Sequence, residues 1–440
     1  MRSDPPTPPG APVLGNTHQY TRDPFRFLTT LRDAYGDLAM PRIGRGDVYV
    51  VFDPATIERI LVTDDDLYRK PDFQQNMLGP LVGQGLLTSE GELWRRQRER
   101  IQPAFFGERL AEYAQTVTSV TAAVTDDWAD GKVVDVERDM TELTLRVIAR
   151  TLFSTDIDER RLDRLHNAMN TVSEQFELDP FGAVAPTWLP TPGDREYRAA
   201  VRHLEGLIDE FIDSHRRQAD PPDDLVTMLL TAQSEAPAEV TDEQIRDEVM
   251  TMLLAGHDTT ALTLTYAWHL LSEHPTKRAR LRTEVREVLG DDSPTFADLG
   301  ALEYTDWVVS ESMRLYPPVY AIWRTPTEPV TLAGYDIPAD AVVMLPQWAV
   351  HRDERWFTRP TRFRPERWAG PDHPDYAYFP FGGGSRVCVG NRFAMMEAKL
   401  VLASVVSEWT LDTDPSGTLE LQASITARPR NGLDGTVTRR

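Results

Sequence analysis

The sequence FPFGGGSRVCVGNRFAMM, residues 379–396, contains the only cysteine of the chain, Cys388. Three consecutive glycines and Arg386 precede this cysteine, and Gly390 follows it by two positions. An apolar helical pattern then begins and continues to about Val406. A free cysteine is mostly a neutral thiol at neutral pH, so a thiolate ligand needs a metal and nearby positive charge to stay ionised. The free N–H groups at the start of a helix supply part of that charge.

Two interpretations of Cys388 are open at this point. A lone cysteine is often a small buried apolar residue without a chemical role. In the other interpretation, the N–H groups of residues 389–391 point at a metal-bound sulfur, and the glycines let a flat group approach the backbone. Arg386 would then meet an anion at the edge of that group. The neighbouring residues favour the second interpretation.

The pattern Phe381-x-x-Gly384-x-Arg386-x-Cys388-x-Gly390 resembles the haem-binding loop of cytochromes P450. The resemblance implies that Cys388 is the thiolate ligand of the iron of haem b, and that Phe381, Arg386 and Gly390 help to hold the cofactor. It also implies a mainly α-helical fold with small β regions. In that fold, a long central helix and the cysteine loop enclose the haem.

The sequence predicts such a long helix between residues 241 and 274. Thr241 and Gln244 form a capping box at its start. The helical pattern then runs to His274, where the following Pro275 ends it. At about 1.5 Å per residue this helix is long enough to cross the whole molecule.

The middle of this helix carries the segment AGHDTT, residues 255–260. A glycine inside a helix costs about 1 kcal/mol relative to alanine, so Gly256 indicates a large group against the backbone. The hydroxyl of Thr259 is expected to bond the carbonyl of Ala255. The segment resembles the oxygen-activation motif of the P450s. The resemblance implies that Ala255 and Gly256 adjoin the haem, while Asp258 and Thr259 supply protons.

Three further segments resemble parts of the family that hold the haem propionates. Trp94 and Arg98 stand four residues apart and therefore share one helical face. Arg324 and Arg386 occupy the positions of further propionate-binding arginines. Without the resemblance, Trp94 and Arg98 would indicate only the edge of an ordinary amphipathic helix.

Glu311 and Arg314 form a Glu-x-x-Arg pair on one helical face, and Arg367 follows in a Pro-Glu-Arg-Trp segment. A buried acid–base pair needs further partners to offset its desolvation, and Arg367 is the expected third member. The three residues resemble the structural Glu-Arg-Arg network of the P450s, which steadies the chain leading to Cys388. Trp368 stands where phenylalanine is commoner in the family.

Together these resemblances imply a monooxygenase that activates O2 and inserts one oxygen atom into an apolar small molecule. Electrons would come from a separate protein, by analogy a ferredoxin with its reductase, because no flavin or iron–sulfur domain is recognisable. One alternative is a haem-thiolate enzyme that uses peroxide or rearranges an oxygenated substrate, and another is a non-enzymatic haem sensor. The expected substrate cavity is lined by parts of 72–88 and 176–190, with Leu254, Ala255, Ala321 and Ile322.

The chain of 440 residues is predicted to be a single domain, residues 1–440, with a β-rich lobe formed by 1–70 and 320–345. Its net charge of −22 argues against nucleic acid and anionic membranes as partners. Only four of its 47 basic residues are lysines, which suggests adaptation to high salt and a haloarchaeal source; the alternative is an acidic protein from a GC-rich genome. No signal peptide or transmembrane anchor is recognisable, so a cytoplasmic protein is predicted.

Further secondary structure follows from periodicity and turn residues. Residues 71–90 are predicted to be a loop over a cavity, and 330–345 a β-hairpin. Residues 38–42 and 48–52 are predicted strands around a turn at 44–47. Helices are predicted at 24–34, 54–62, 108–128, 137–154, 158–178, 193–217 and 223–232, with a proline-rich break at 179–192.

Overall fold

The structure is a computed structural model that describes residues 4–177, 193–370, 372–413 and 419–440. Helices account for most of these residues, which confirms the mainly α-helical fold class. The α-helices are α1 (Thr17–Arg22), α2 (Pro24–Tyr35), α3 (Pro54–Glu58), α4 (Asp72–Val82), α5 (Gly91–Ile101), α6 (Glu108–Thr125), α7 (Val136–Leu152), α8 (Glu159–Gln175), α9 (Asp194–Arg216), α10 (Leu225–Glu235), α11 (Asp242–Glu273), α12 (Pro275–Leu289), α13 (Glu303–Leu315), α14 (Gln347–Val350) and α15 (Asn391–Glu408).

The strands are short and form small sheets. They are β1 (Leu38–Ala39), β2 (Arg42–Ile43), β3 (Gly46–Val51), β4 (Tyr68–Arg69), β5 (Val133–Asp135), β6 (Ile322–Pro326), β7 (Val330–Leu332), β8 (Tyr335–Ile337), β9 (Val342–Leu345), β10 (Trp409–Thr413), β11 (Leu421–Ala423), β12 (Ala427–Pro429) and β13 (Asp434–Arg439). The largest sheet has the order β1-β3-β9-β6-β4, with β2 on β3. A second sheet has the order β10-β13-β5, and β11 pairs with β12.

The predicted helices between residues 108 and 232 are confirmed as α6 to α10, with ends displaced by a few residues. The predicted break at 179–192 lies outside the described residues. The helix predicted at 54–62 is shorter than expected, because α3 gives way to a π-helical turn at Arg59–Thr63.

Helix α11 is the central element, and its predicted ends are confirmed. The hydroxyl of Thr241 accepts the backbone N–H of Gln244 at 3.2 Å, and the helix ends before His274. Its 32 residues span roughly 48 Å. It packs most extensively against α7 and also contacts α9, α13 and α15.

The prediction of one hairpin at 330–345 is wrong in its second half. β7 and β8 do form a hairpin, through Ala333 and Gly334, whose φ angles of 47° and 87° suit a two-residue turn. β9 does not join this hairpin. It pairs in parallel with β3 and antiparallel with β6, so it ties residues 46–51 to residues 322–326.

The prediction of a loop at 71–90 is wrong for its first half, where α4 begins directly after Pro71. Gly79 and Pro80 suggested irregular structure, but both lie in the last turn of the helix. A proline there removes one backbone hydrogen bond and its ring crowds the carbonyl four residues earlier, which together cost about 3 kcal/mol in a helix interior. Burial of Leu78, Leu81 and Val82 offsets that cost.

Two hydrophobic clusters support this arrangement. The larger one joins the helical part of the molecule, including α6, α7, α11, α13 and α15. The smaller one lies between α2, α3 and the largest sheet. Within the described part of the chain, no helix combines the length and apolar character that a membrane crossing requires.

Candidate functional site

A cavity of about 380 Å³ lies between the middle of α11 and the loop that carries Cys388. This volume is within the range of sites for small organic ligands. Every predicted cofactor-binding residue contributes to its wall, together with Thr259. These residues are Trp94, Arg98, Ala255, Gly256, Arg324, Phe381, Arg386, Cys388 and Gly390.

The loop around Cys388 is held by its own backbone. The N–H of Cys388 donates to the carbonyl of Phe381 at 2.9 Å, and the N–H of Gly390 donates to the cysteine sulfur. Burial raises the pKa of the Cys388 thiol, and the Gly390 N–H and the charge of Arg98 oppose this rise. The thiolate form therefore needs a metal cation as its partner.

Gly384 shows why this loop needs glycine. Its φ is +65°, in the left-handed region, and a Cβ atom there would lie 1.8 Å from the carbonyl oxygen of Leu61. Any other residue would push the loop away from the π-helical turn that supports it. The single turn of 3₁₀ helix at Gly384–Arg386 then directs Arg386 towards the cavity.

Arg386 and Trp94 form one side of the cavity. The guanidinium carbon of Arg386 lies 4.6 Å from the centre of the Trp94 ring, a cation–π distance. Its Nη2 donates to Glu90 at 2.5 Å, whereas its Nη1 is buried and has no hydrogen-bond partner among the described residues. On the same helix as Trp94, Arg98 donates through Nη1 to the carbonyl of Val387 at 2.7 Å.

Two more cations line this side. Burial and the charge of Arg386 lower the pKa of Arg324 to about 10 and that of Lys70 to about 7. Lys70 is a functional candidate that sequence analysis missed. The only available signal was its rarity, as one of four lysines. Buried cations this close together, whose charges disfavour one another, indicate a place for anionic groups.

The residues present fit a haem. The cationic side supplies partners for two carboxylates, including the unpaired Nη1 of Arg386. The opposite end of the cavity is mainly apolar. The Cys388 side chain is accessible from the cavity, where its thiolate would be available as a ligand for iron. When bound, haem supplies the redox and oxygen chemistry that no side chain can perform.

On α11, Gly256 and Thr259 face the cavity. A Cβ atom on Gly256 would lie 2.2 Å from Cδ1 of Ile148, so α7 approaches the glycine closely. The large group predicted beside Gly256 therefore includes a neighbouring helix. The hydroxyl of Thr259 donates to the carbonyl of Ala255 at 3.0 Å, as the sequence predicted.

Among the predicted catalytic and cofactor-binding residues, Asp258 is the one that does not line the cavity. Its carboxylate accepts a hydrogen bond from Thr426 at 2.8 Å and forms an ion pair with Arg428. Burial alone would raise the pKa of Asp258, but Arg428 and other donors hold it below its ordinary value. Glu137 also lies near Arg428, and burial raises the pKa of its carboxyl to about 7.

The structural network around Glu311 is fully buried at its centre. Arg314 donates to the carboxylate through Nε at 2.8 Å and Nη2 at 2.9 Å, and Arg367 donates through Nε at 2.9 Å. The backbone N–H of Arg364 and the indole N–H of Trp368 complete the set. Arg314 also donates to the carbonyls of His351 and Pro360, so the network fixes the chain before Cys388.

The apolar part of the cavity differs in detail from the prediction. Ala255, Ala321 and Ile322 contribute to it as expected, but Leu254 packs into the core. Residues 178–190 of the predicted lining lie outside the described residues. The lining that sequence analysis missed includes Leu152, Thr251, Met252, Thr260 and Val319.

A family model described as cytochrome P450 matches residues 5–431. The chain belongs to the cytochrome P450 family. This P450 is 37% identical over 432 residues to cyclooctatin synthase of Streptomyces melanosporofaciens, covering 96% of this chain and 93% of that protein. It is also 37% identical over 421 residues to cyclooctat-9-en-7-ol 5-monooxygenase of the same organism, covering 94% and 91%. Pentalenene oxygenase of Streptomyces avermitilis is 34% identical over 414 residues, covering 93% and 92%.

This P450 is therefore a haem-thiolate monooxygenase that binds haem through a cysteine thiolate. It uses O2 and a redox partner to oxygenate an organic substrate. These findings set aside the alternative of a non-enzymatic haem sensor.

Proposed function

We propose that the substrate of this P450 is a terpenoid, in the sense of a bulky cyclic isoprenoid hydrocarbon with few polar groups. The observation that supports this most directly is the apolar end of the cavity. Leucine, isoleucine, methionine and alanine side chains dominate there, and hydroxyl groups of threonine are the main polar ones. Burial of apolar ligand surface is then the main source of affinity.

The named activities of the relatives support the same substrate class. Cyclooctat-9-en-7-ol and pentalenene appear in the names of two proteins that align over more than nine-tenths of this chain. The substrate of this chain is proposed as the same chemical class and not as either compound.

In this proposal, Cys388 is the iron ligand, since it is the only cysteine of the chain. Trp94, Arg98, Arg324 and Arg386 would bind the two haem propionates, and Phe381, Gly390, Ala255 and Gly256 would contact the haem ring. Thr259 holds a proton at its hydroxyl beside the oxygen-binding position, and Asp258 exchanges protons with solvent after leaving Arg428. Glu311, Arg314 and Arg367 keep the chain before Cys388 in place.

We further propose that residues 1–440 form a single domain, that the protein acts in the cytoplasm, and that its electron donor is a ferredoxin. The basic residues Arg95, Arg96 and Arg100 of α5 provide a surface for an acidic donor. Arg96 and Arg100 already share Glu239, at 3.6 and 3.0 Å, so a donor must compete with this acid.

Optical titration of the haem-loaded protein tests the substrate class. Pentalenene and cyclooctat-9-en-7-ol are the terpenoid probes, and palmitate is the comparison ligand. We expect a low-spin to high-spin shift with at least one terpenoid at lower concentration than with palmitate. Tight binding of palmitate alone would contradict the proposal.

A further inference from the structure

The irregular segment of residues 83–90 is tied to α11 by two adjacent acidic residues. It connects α4 to α5, and its residues Leu86 and Leu87 line the cavity. The carboxylate of Asp247 accepts the N–H of Gln84 at 2.8 Å. The carboxylate of Glu248 accepts the N–H of Leu86 at 3.1 Å.

Both backbone polar groups of Leu86, its N–H and its carbonyl, are hydrogen-bonded to charged-type side chains. Glu248 binds its N–H, and the ammonium group of Lys70 donates to its carbonyl at 3.0 Å. The same ammonium group donates to the carbonyl of Ser89 at 2.9 Å. An acid on one side and a base on the other therefore fix the backbone from which Leu86 and Leu87 project.

At Gly85 the segment lies so close to α11 that no side chain fits on this residue. A Cβ atom on Gly85 would lie 2.1 Å from the hydroxyl of Thr251 and 2.7 Å from the carbonyl of Asp247. The hydroxyl of Thr88 donates back to the carbonyl of Gly83 at 2.7 Å. Residues 83–90 therefore lie in direct contact with α11, and a hydrogen bond within the segment stabilises its turn.

Glu248 is an unusual residue for a purely structural position. Its side chain is 1% exposed, and its Oε1 atom has no hydrogen-bond partner in the part of the chain that the structure describes. A buried carboxyl without a paired charge is expensive in an apolar core. Burial raises the pKa of Glu248 to about 8, so the neutral acid predominates at neutral pH. A glutamine would then reproduce both its shape and its acceptor for Leu86.

We propose that Glu248 is a positioning residue of the substrate cavity, which sets the place of the Leu86–Leu87 wall by accepting the Leu86 N–H opposite Lys70. Glu248 acts through this wall and does not touch the substrate. The proposal depends on the cavity alone and holds for any apolar substrate class.

Three variants of the full-length, haem-loaded protein test the proposal. Glu248→Leu removes the acceptor and leaves the Leu86 N–H unpaired, Glu248→Gln keeps the acceptor, and Glu243→Leu makes the same change at an exposed position of α11. The probe is clotrimazole, a bulky azole that fills the distal cavity and shifts the haem spectrum. Imidazole is the control ligand, because it binds iron but is too small to reach the wall.

We expect Glu248→Leu to weaken clotrimazole binding roughly tenfold, as loss of one buried hydrogen-bond partner predicts. The affinity of this variant for imidazole should stay within about twofold of the wild-type value. Glu248→Gln and Glu243→Leu should bind both azoles like the wild type. Amide hydrogen exchange of residues 84–90 should be faster in Glu248→Leu only. Wild-type clotrimazole affinity and wild-type exchange in folded Glu248→Leu would overturn the proposal.

If Glu248→Leu does not fold, Lys70→Met tests the same wall from its other side. This change releases the carbonyls of Leu86 and Ser89, and we expect faster exchange at 84–90. Unchanged exchange in Lys70→Met, or loss of clotrimazole binding in Glu248→Gln, would also refute the proposed role. Because the probe is an azole, these outcomes are independent of whether the natural substrate is a terpenoid.

Discussion

Asp258 forms a partly buried ion pair with Arg428, while the adjacent Thr259 lies on the cavity. Two neighbours in sequence thus face different parts of the protein. The carboxylate must leave Arg428 and Thr426 before it can exchange a proton with groups in the cavity. The proposed role of Asp258 in proton delivery therefore requires a movement of its side chain.

Asp258→Asn tests this role directly. The amide keeps the size of the side chain but cannot carry a proton to Thr259. We expect turnover to fall about 100-fold, at the lower end of what positioned acid–base groups contribute. Substrate affinity, measured by the spin-state shift, should stay within twofold. Wild-type turnover in this variant would exclude Asp258 from proton delivery.

Thr259→Ala should uncouple electron consumption from product formation. The cavity loses its proton-holding hydroxyl, so reduced oxygen is released as hydrogen peroxide, while the substrate still binds. Peroxide and product are measured per NAD(P)H consumed. Thr265→Ala is the matched control, because Thr265 makes the same hydrogen bond to the helix backbone but is absent from the cavity wall. Full coupling in Thr259→Ala would show that this hydroxyl is dispensable.

Glu311→Gln should strongly destabilise the protein. The change leaves Arg314 and Arg367 buried without a counter-charge, and breaking a buried pair in this way costs about 3–5 kcal/mol. Denaturant unfolding measures the loss, and haem retention should decline with it. Asp163→Asn removes an exposed pair with Arg138 and should change stability by less than about 1 kcal/mol. Equal stabilities of the two variants would disprove the role of Glu311.

His215 predicts a pH dependence of stability. Its Nδ1 faces the carbonyl of Phe211 at 2.8 Å and its Nε2 faces Asp224 at 2.7 Å, so both ring nitrogens face acceptors. Burial alone would lower the pKa of His215, but these partners raise it above its ordinary value. The stabilisation is complete below the unfolded pKa of about 6.5 and is lost as the pH rises through the folded pKa.

The measurement is the melting temperature of the wild type and of His215→Gln between pH 5 and 9. The wild type should be more stable than the variant at pH 5 to 6, and this advantage should shrink towards pH 9. A constant difference across the range would mean that His215 does not gain a proton in the folded state.

The sequence predicted more of this site than of the walls around it. The cysteine loop, the Asp–Thr pair and the Glu-x-x-Arg pair are short patterns whose spacing is set by local helix and turn geometry. Arg428 could not be predicted as the partner of Asp258, because it lies 170 positions away and only the β11–β12 hairpin brings it there.

In the fold, too, features set by local backbone effects were predictable and features set by tertiary contacts were not. The ends of α11 were predictable because Thr241 and Pro275 act on the backbone directly. Helix α4 was missed because the burial of its apolar face outweighs the local effects of Gly79 and Pro80. The partners of β9 were missed because pairing with β3 and β6 depends on tertiary contacts.

The identity of the iron ligand is the central claim, and the ferrous–CO spectrum tests it most directly. The haem-loaded wild type should show the red-shifted band of a thiolate–CO complex. Cys388→Ser should retain haem but lose both this band and monooxygenation. Absence of the band in correctly folded, haem-loaded wild type, or its persistence in Cys388→Ser, would contradict the account.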